Sequence, residues 1–82
     1  MIWTEAWAGQ LVHDAWRRPH PPRSLEYRAG MVAGARGAMR LAEPVNPHRA
    51  GTTAADAWWA GVQEGRALVA VWEYTQAREA AS

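Results

Sequence analysis

Glycines and apolar residues recur at Trp58, Gly61, Val62, Gly65, Leu68, Val69 and Trp72, the i, i+3, i+4, i+7 spacing of a single helix face. An earlier stretch, Tyr27, Gly30, Met31, Gly34, Ala38 and Leu41, repeats the pattern. The spacing predicts helices over about residues 25–42 and 53–80, the latter about 40 Å long. Ser24 is placed to cap the first of these, and Thr53-Ala-Ala-Asp56 has the form of a capping box for the second. A further helix is predicted over 5–17 with Thr4 as its cap, although Trp3, Trp7, Leu11, Val12 and Trp16 spread around its axis. Between the elements, Arg18-Pro-His-Pro-Pro-Arg23 reads as an extended connector, since proline lacks a donor and restricts the residue before it. Glu43 to Gly51 reads as a loop with an Asn-Pro turn signal. No segment alternates with period two, so the predicted class is all-α. Residues 1–82 form one domain, with a helix-loop-helix core over 24–68 and a helical extension over 69–82.

The two glycine-bearing segments agree residue for residue at an offset of 31: Tyr27-x-x-Gly30-Met31-x-x-Gly34 is answered by Trp58-x-x-Gly61-Val62-x-x-Gly65. Each glycine inside a helix costs about 1 kcal/mol relative to alanine. With Gly37, five such positions forfeit about 4–5 kcal/mol, a large share of the 5–15 kcal/mol typical of a whole domain. The expected compensation is a close crossing of the two helices on their glycine faces, with Tyr27 and Trp58 covering the junction. Val71, Trp72 and Tyr74 lie beyond that crossing and suggest either a dimer contact or packing by the first helix.

Composition narrows the chemistry. At 82 residues and without cysteine, the chain must stabilise itself through one small core, with no disulfide or thiolate metal site. His13, His20 and His48 lack metal spacing, and no P-loop, paired-acid or base–nucleophile pattern is present, so neither an enzyme nor a cofactor is expected. No run is long and apolar enough to span a bilayer, and the start lacks a secretory pattern, so a cytoplasmic location is expected. All nine basic residues are arginine. The net charge of +1 conceals a central block in which Arg17, Arg18, Arg23, Arg28, Arg36, Arg40 and Arg49 face only Glu26 and Glu43. Both ends of the chain are acidic.

The series Tyr27, Gly30, Gly34, then Asn46-Pro47, then Trp58, Gly61, Glu64, Gly65 resembles the small ribosome modulation factor and its relatives, the Rmf/CrpP group. The likeness covers about residues 24–68, roughly half the chain. His48 stands where the family pattern has an aromatic after Asn-Pro, and this chain is far less basic than the prototype. The resemblance implies a helical, non-enzymatic protein that binds ribosomal RNA or a ribonucleoprotein.

On that reading Arg17, Arg18, Arg23, Arg28, Arg36, Arg40 and Arg49 contact phosphates and His48 stacks on a base. The connector arginines suit this best, because an extended segment can follow a nucleic-acid backbone. Arg36 and Arg40, one turn apart on the predicted helix, are equally well explained as a solvated face. The alternative is a phage or mobile-element inhibitor, of the anti-CRISPR kind, that binds a host protein or nucleoprotein. Its contacts would then come from the acidic ends and from Trp3, Trp16 and Trp59, the tryptophans least needed by a small core. A homodimer fits either reading.

Overall fold

Ser24 holds an extended backbone and its hydroxyl accepts the Tyr27 amide at 3.2 Å, so a helix begins at Leu25 as its cap dictates. In the computed structural model, which describes residues 5–20 and 22–81, this is the second of three helices. Helix α1 spans Glu5–Arg17, α2 spans Leu25–Ala38 and α3 spans Thr53–Ala81. No strand occurs among the described residues. The expected cap Thr4 and the candidate contact Trp3 lie outside them.

The α2–α3 contact carries most of the packing. An ideal Cβ at Gly30 would stand 2.8 Å from the carbonyl carbon of Trp58, and closer still to its oxygen. A Cβ at Gly34 would meet Val62 in the same way, one at Gly61 would meet Tyr27, and one at Gly65 would meet Met31. Only hydrogen fits at these four points. Each glycine hydrogen is directed at a carbonyl oxygen of the facing helix, the Cα–H···O arrangement that recurs at close helix contacts. The contacts exchange under the offset of 31 residues: Gly30 on Trp58 mirrors Gly61 on Tyr27, and Gly34 on Val62 mirrors Gly65 on Met31. Because Gly30 faces Trp58 and Gly34 faces Val62, the two helices pass each other in the same direction.

A parallel pair forces the connection to return along α2. Helix α2 stops at Ala38, four residues before the predicted end, through a Schellman motif. The Leu41 amide donates to the Arg36 carbonyl at 2.9 Å and the Arg40 amide to Gly37 at 3.0 Å. Arg40 takes the left-handed position, φ 62°, where glycine is usual. Arg36 and Arg40 are therefore not one turn apart on a helix, and Leu41 leaves the predicted stripe. Pro44 then packs over Gly37, where a Cβ would come within 2.9 Å of its ring. Asn46 ties the loop down by donating to the Ala55 carbonyl at 3.1 Å while its Oδ1 accepts the His48 amide at 2.9 Å. The cap of α3 is Thr52, whose hydroxyl accepts the Ala55 amide at 3.1 Å, and not Thr53. The capping box is displaced because Thr52 also donates to the Arg49 carbonyl at 2.7 Å, which fixes the entry turn one residue earlier.

Helix α1 lies mainly against α2 and touches α3 less. It buries Ala8 and Val12, with Leu11, Ala15 and Trp16 partly covered, an i, i+3, i+4, i+7 face in which two of the five residues are alanine. These join Tyr27, Met31, Ala35, Met39 and Val69 in the core, while Trp58 and Val62 are buried beneath the helix crossing. Near the far end, Trp7 packs edge-to-face on Trp72 with centroids 5.6 Å apart. With 29 residues, α3 is about 44 Å long and sets the 46 Å long axis of the molecule.

Substituting Gly34 or Gly65 by leucine should destabilise the fold by about 3 kcal/mol or more, since overpacking here meets backbone and not a yielding side chain. Gly9 in α1 has nothing near its Cβ position. Gly9→Ala should therefore stabilise by about 0.5–1 kcal/mol. Thermal melts of the three variants check both signs.

Candidate nucleic-acid interface

At the junction of α1, the connector and α2, arginines alternate with rings. Pro19 and Pro22 lie in the connector between α1 and α2, and Arg18 and Arg23 are exposed at its two ends. The His20 Nε2–H donates to the Trp16 carbonyl at 3.0 Å, which folds the imidazole back over the indole at a centroid distance of 4.6 Å. From α2, the Arg28 guanidinium lies 5.4 Å from the Trp16 ring, and the Arg23 guanidinium lies 4.3 Å from the Tyr27 ring. Trp16, Pro19, His20, Arg23 and Glu64 border a hollow of about 130 Å³.

The base of this array is anchored by α3. The Tyr27 hydroxyl donates a hydrogen bond to Glu64 Oε2, and the same oxygen lies 3.9 Å from Arg23 Nη2. Burial raises the Tyr27 pKa above its ordinary 10.0, and so does the hydrogen bond to the Glu64 carboxylate with its charge; Arg23 opposes them. Glu64 is about two-fifths exposed, so its pairing with Arg23 adds little energy but orients the guanidinium.

The predicted phosphate contacts therefore divide. Arg17, Arg18, Arg23 and Arg28 lie around the connector, with Arg17 also in the last turn of α1, where a cation complements the helix dipole. Arg36 and Arg40 are at the other end of α2, Arg36 about 12 Å further along the axis than Arg28. Arg49 and His48 belong to the return loop; His48 is half-buried, and Arg49 is exposed. Of the predicted partner-binding tryptophans, Trp16 joins the arginine array, whereas Trp59 is on α3 with 45% of its surface exposed and its ring edge-to-face on Trp58. Sequence reasoning weighed His20 only as a metal ligand, since its place between prolines four residues after Trp16 was the sole signal for this role. It also left Tyr27 and Glu64 unconnected, because 37 residues separate them.

Most of the residues that carry the family resemblance serve the scaffold. Tyr27 bonds Glu64, the four glycines make the crossing, Asn46 pins the loop and Trp58 is buried. No protein-family model matches the chain, and no curated protein or solved structure matches it either. Among the described residues, no helix is long and apolar enough to cross a membrane, and no three potential metal ligands come together.

Raising a tyrosine pKa on folding adds stability that is complete below the unfolded value near 10 and is lost as pH rises through the folded value. Tyr27→Phe should therefore cost about 1 kcal/mol at neutral pH. The gap from wild type should close above pH 10, which urea denaturation across that range measures.

Proposed function

We propose that this chain is a small, non-enzymatic RNA-binding protein of the ribosome modulation factor type, acting on ribosomal RNA or a ribonucleoprotein. The observation that carries the reading is the ring-and-guanidinium array of Trp16, His20, Arg23, Tyr27 and Arg28. A guanidinium stacked on a ring is held flat, yet keeps its in-plane N–H groups for a phosphate. Arg17 and Arg18 continue the positive charge along the connector. Exposed His20 offers an imidazole face beside those donors, a combination suited to an unpaired base and its backbone. A site of this kind favours single-stranded or loop RNA over duplex, because stacking requires a base outside a helix. Arg36, Arg40 and Arg49 are then peripheral. The shared Tyr–Gly–Gly, Asn-Pro and Trp–Gly–Glu–Gly pattern supports a common scaffold with that family.

A second reading, an inhibitor that binds a host protein or nucleoprotein, is favoured by the exposure of Trp59. Large aromatics at the centre of an interface commonly dominate its energy. In that case Trp59→Ala abolishes partner capture from a nuclease-treated lysate, and the arginine variants do not.

For RNA, binding of a labelled single strand should weaken steeply with salt. Arg17→Gln with Arg18→Gln, and separately Arg23→Gln with Arg28→Gln, should each lower affinity. Removing one phosphate contact reduces the log–log salt slope by about 0.7. Arg36→Gln with Arg40→Gln should leave the slope nearly unchanged. Equal slopes in all three double variants, with the helical content of wild type, would overturn the assignment of the site.

A further inference from the structure

Helix α3 outruns the elements that cover it. Glu64, Ala67, Leu68, Val71, Thr75 and Arg78 recur at helical spacing and share one face. Most of that face floors an open groove of about 350 Å³, with Leu11 and Arg18 on the opposite wall. Helix α1 reaches Trp72 through Trp7, but Val71 and Tyr74 each remain 64% exposed.

The face is complementary to itself. In an antiparallel pair with a two-fold axis at Val71, each residue meets the one equally far on the other side of that axis. Val71 meets the partner's Val71, Tyr74 meets the partner's Leu68, and Thr75 meets the partner's Ala67. Arg78 meets the partner's Glu64. The result is an apolar centre closed at both ends by opposite charges. Within its own chain Glu64 uses Oε2 for both Tyr27 and Arg23, leaving Oε1 as the acceptor for an incoming guanidinium. A parallel pair would instead set Arg78 beside Arg78 and Glu64 beside Glu64, so charge selects the antiparallel arrangement.

We propose that the groove between α1 and α3 is a homodimer interface, filled by α3 of a second copy running antiparallel about Val71. The face spans about four helical turns, at the small end of stable interfaces, so association depends on concentration. The dimer does not rest on RNA binding, and its test contains no RNA.

The natural absence of cysteine allows a direct test in the full chain. Val71→Cys should form a disulfide-linked dimer under mild oxidation, because residue 71 meets its own copy. Ala67→Cys and Thr75→Cys should cross-link when mixed but poorly alone, since like residues then lie about 12 Å apart along the axis. Ala77→Cys, away from this face, is the control. Val71→Glu places two carboxylates at the axis and should shift sedimentation to monomer with helicity unchanged, as Val71 is exposed. Wild type that stays monomeric at high concentration, or Val71→Cys that cross-links no faster than Ala77→Cys, would overturn the proposal. So would a monomeric wild type in which Val71→Glu abolishes capture of a different protein, since the groove then has another occupant.

Discussion

Everything in this molecule follows from the approach of two helix backbones at four glycines. Side chains normally keep helices 8–10 Å apart. At Gly30, Gly34, Gly61 and Gly65 the carbonyls of Trp58, Val62, Tyr27 and Met31 fill the space a Cβ would take. The contact replaces side-chain packing with dispersion and Cα–H···O attraction between main chains, which a chain of this size can make without many large apolar residues. It also offsets the helix propensity lost at each glycine.

Close approach then determines the rest of the architecture. A reciprocal contact of this kind joins helices running in the same direction, so residues 39–52 must return along α2. The loop is accordingly dense in local restraints: the left-handed Arg40, Pro44 over Gly37, the Asn46 tie and the Thr52 cap. At the edge of the crossing, Tyr27 and Glu64 come near enough to bond, and the same carboxylate faces Arg23, whose guanidinium lies over the Tyr27 ring. The arginine array is thus a consequence of the crossing and not an independent motif. The crossing also leaves Val71 and Tyr74 of α3 largely exposed, because α2 is half as long as α3.

Much of this was legible in the chain. The glycine register identified both the helices and their contact, since a loss of helix propensity repeated on one face is offset where a second backbone packs against it. The Ser24 cap and the extents of α1 and α3 followed from local signals. The end of α2 did not, because the left-handed position that terminates it holds Arg40 where glycine would have announced it. The face of α1 was obscured because it is made partly of Ala8, which is buried, and Ala15, which is half-buried, and alanine carries little hydrophobic signal, while Trp7 drew attention elsewhere.

The sequence by itself determined that the chain is helical, where two helices would touch, and that the positive charge is central. Those properties depend on residues a few positions apart, whose spacing is converted directly into a helix face. Only the tertiary structure decided which arginines belong together. It divided a continuous basic block, setting Arg28 over the Trp16 ring and Arg23 over the Tyr27 ring and leaving Arg36 and Arg40 at the opposite end of α2. It also joined Tyr27 to Glu64 and left Val71 exposed on α3. The reason is physical: a helix orders its own neighbours in one dimension, but the choice of neighbours across a crossing depends on how closely two backbones can approach.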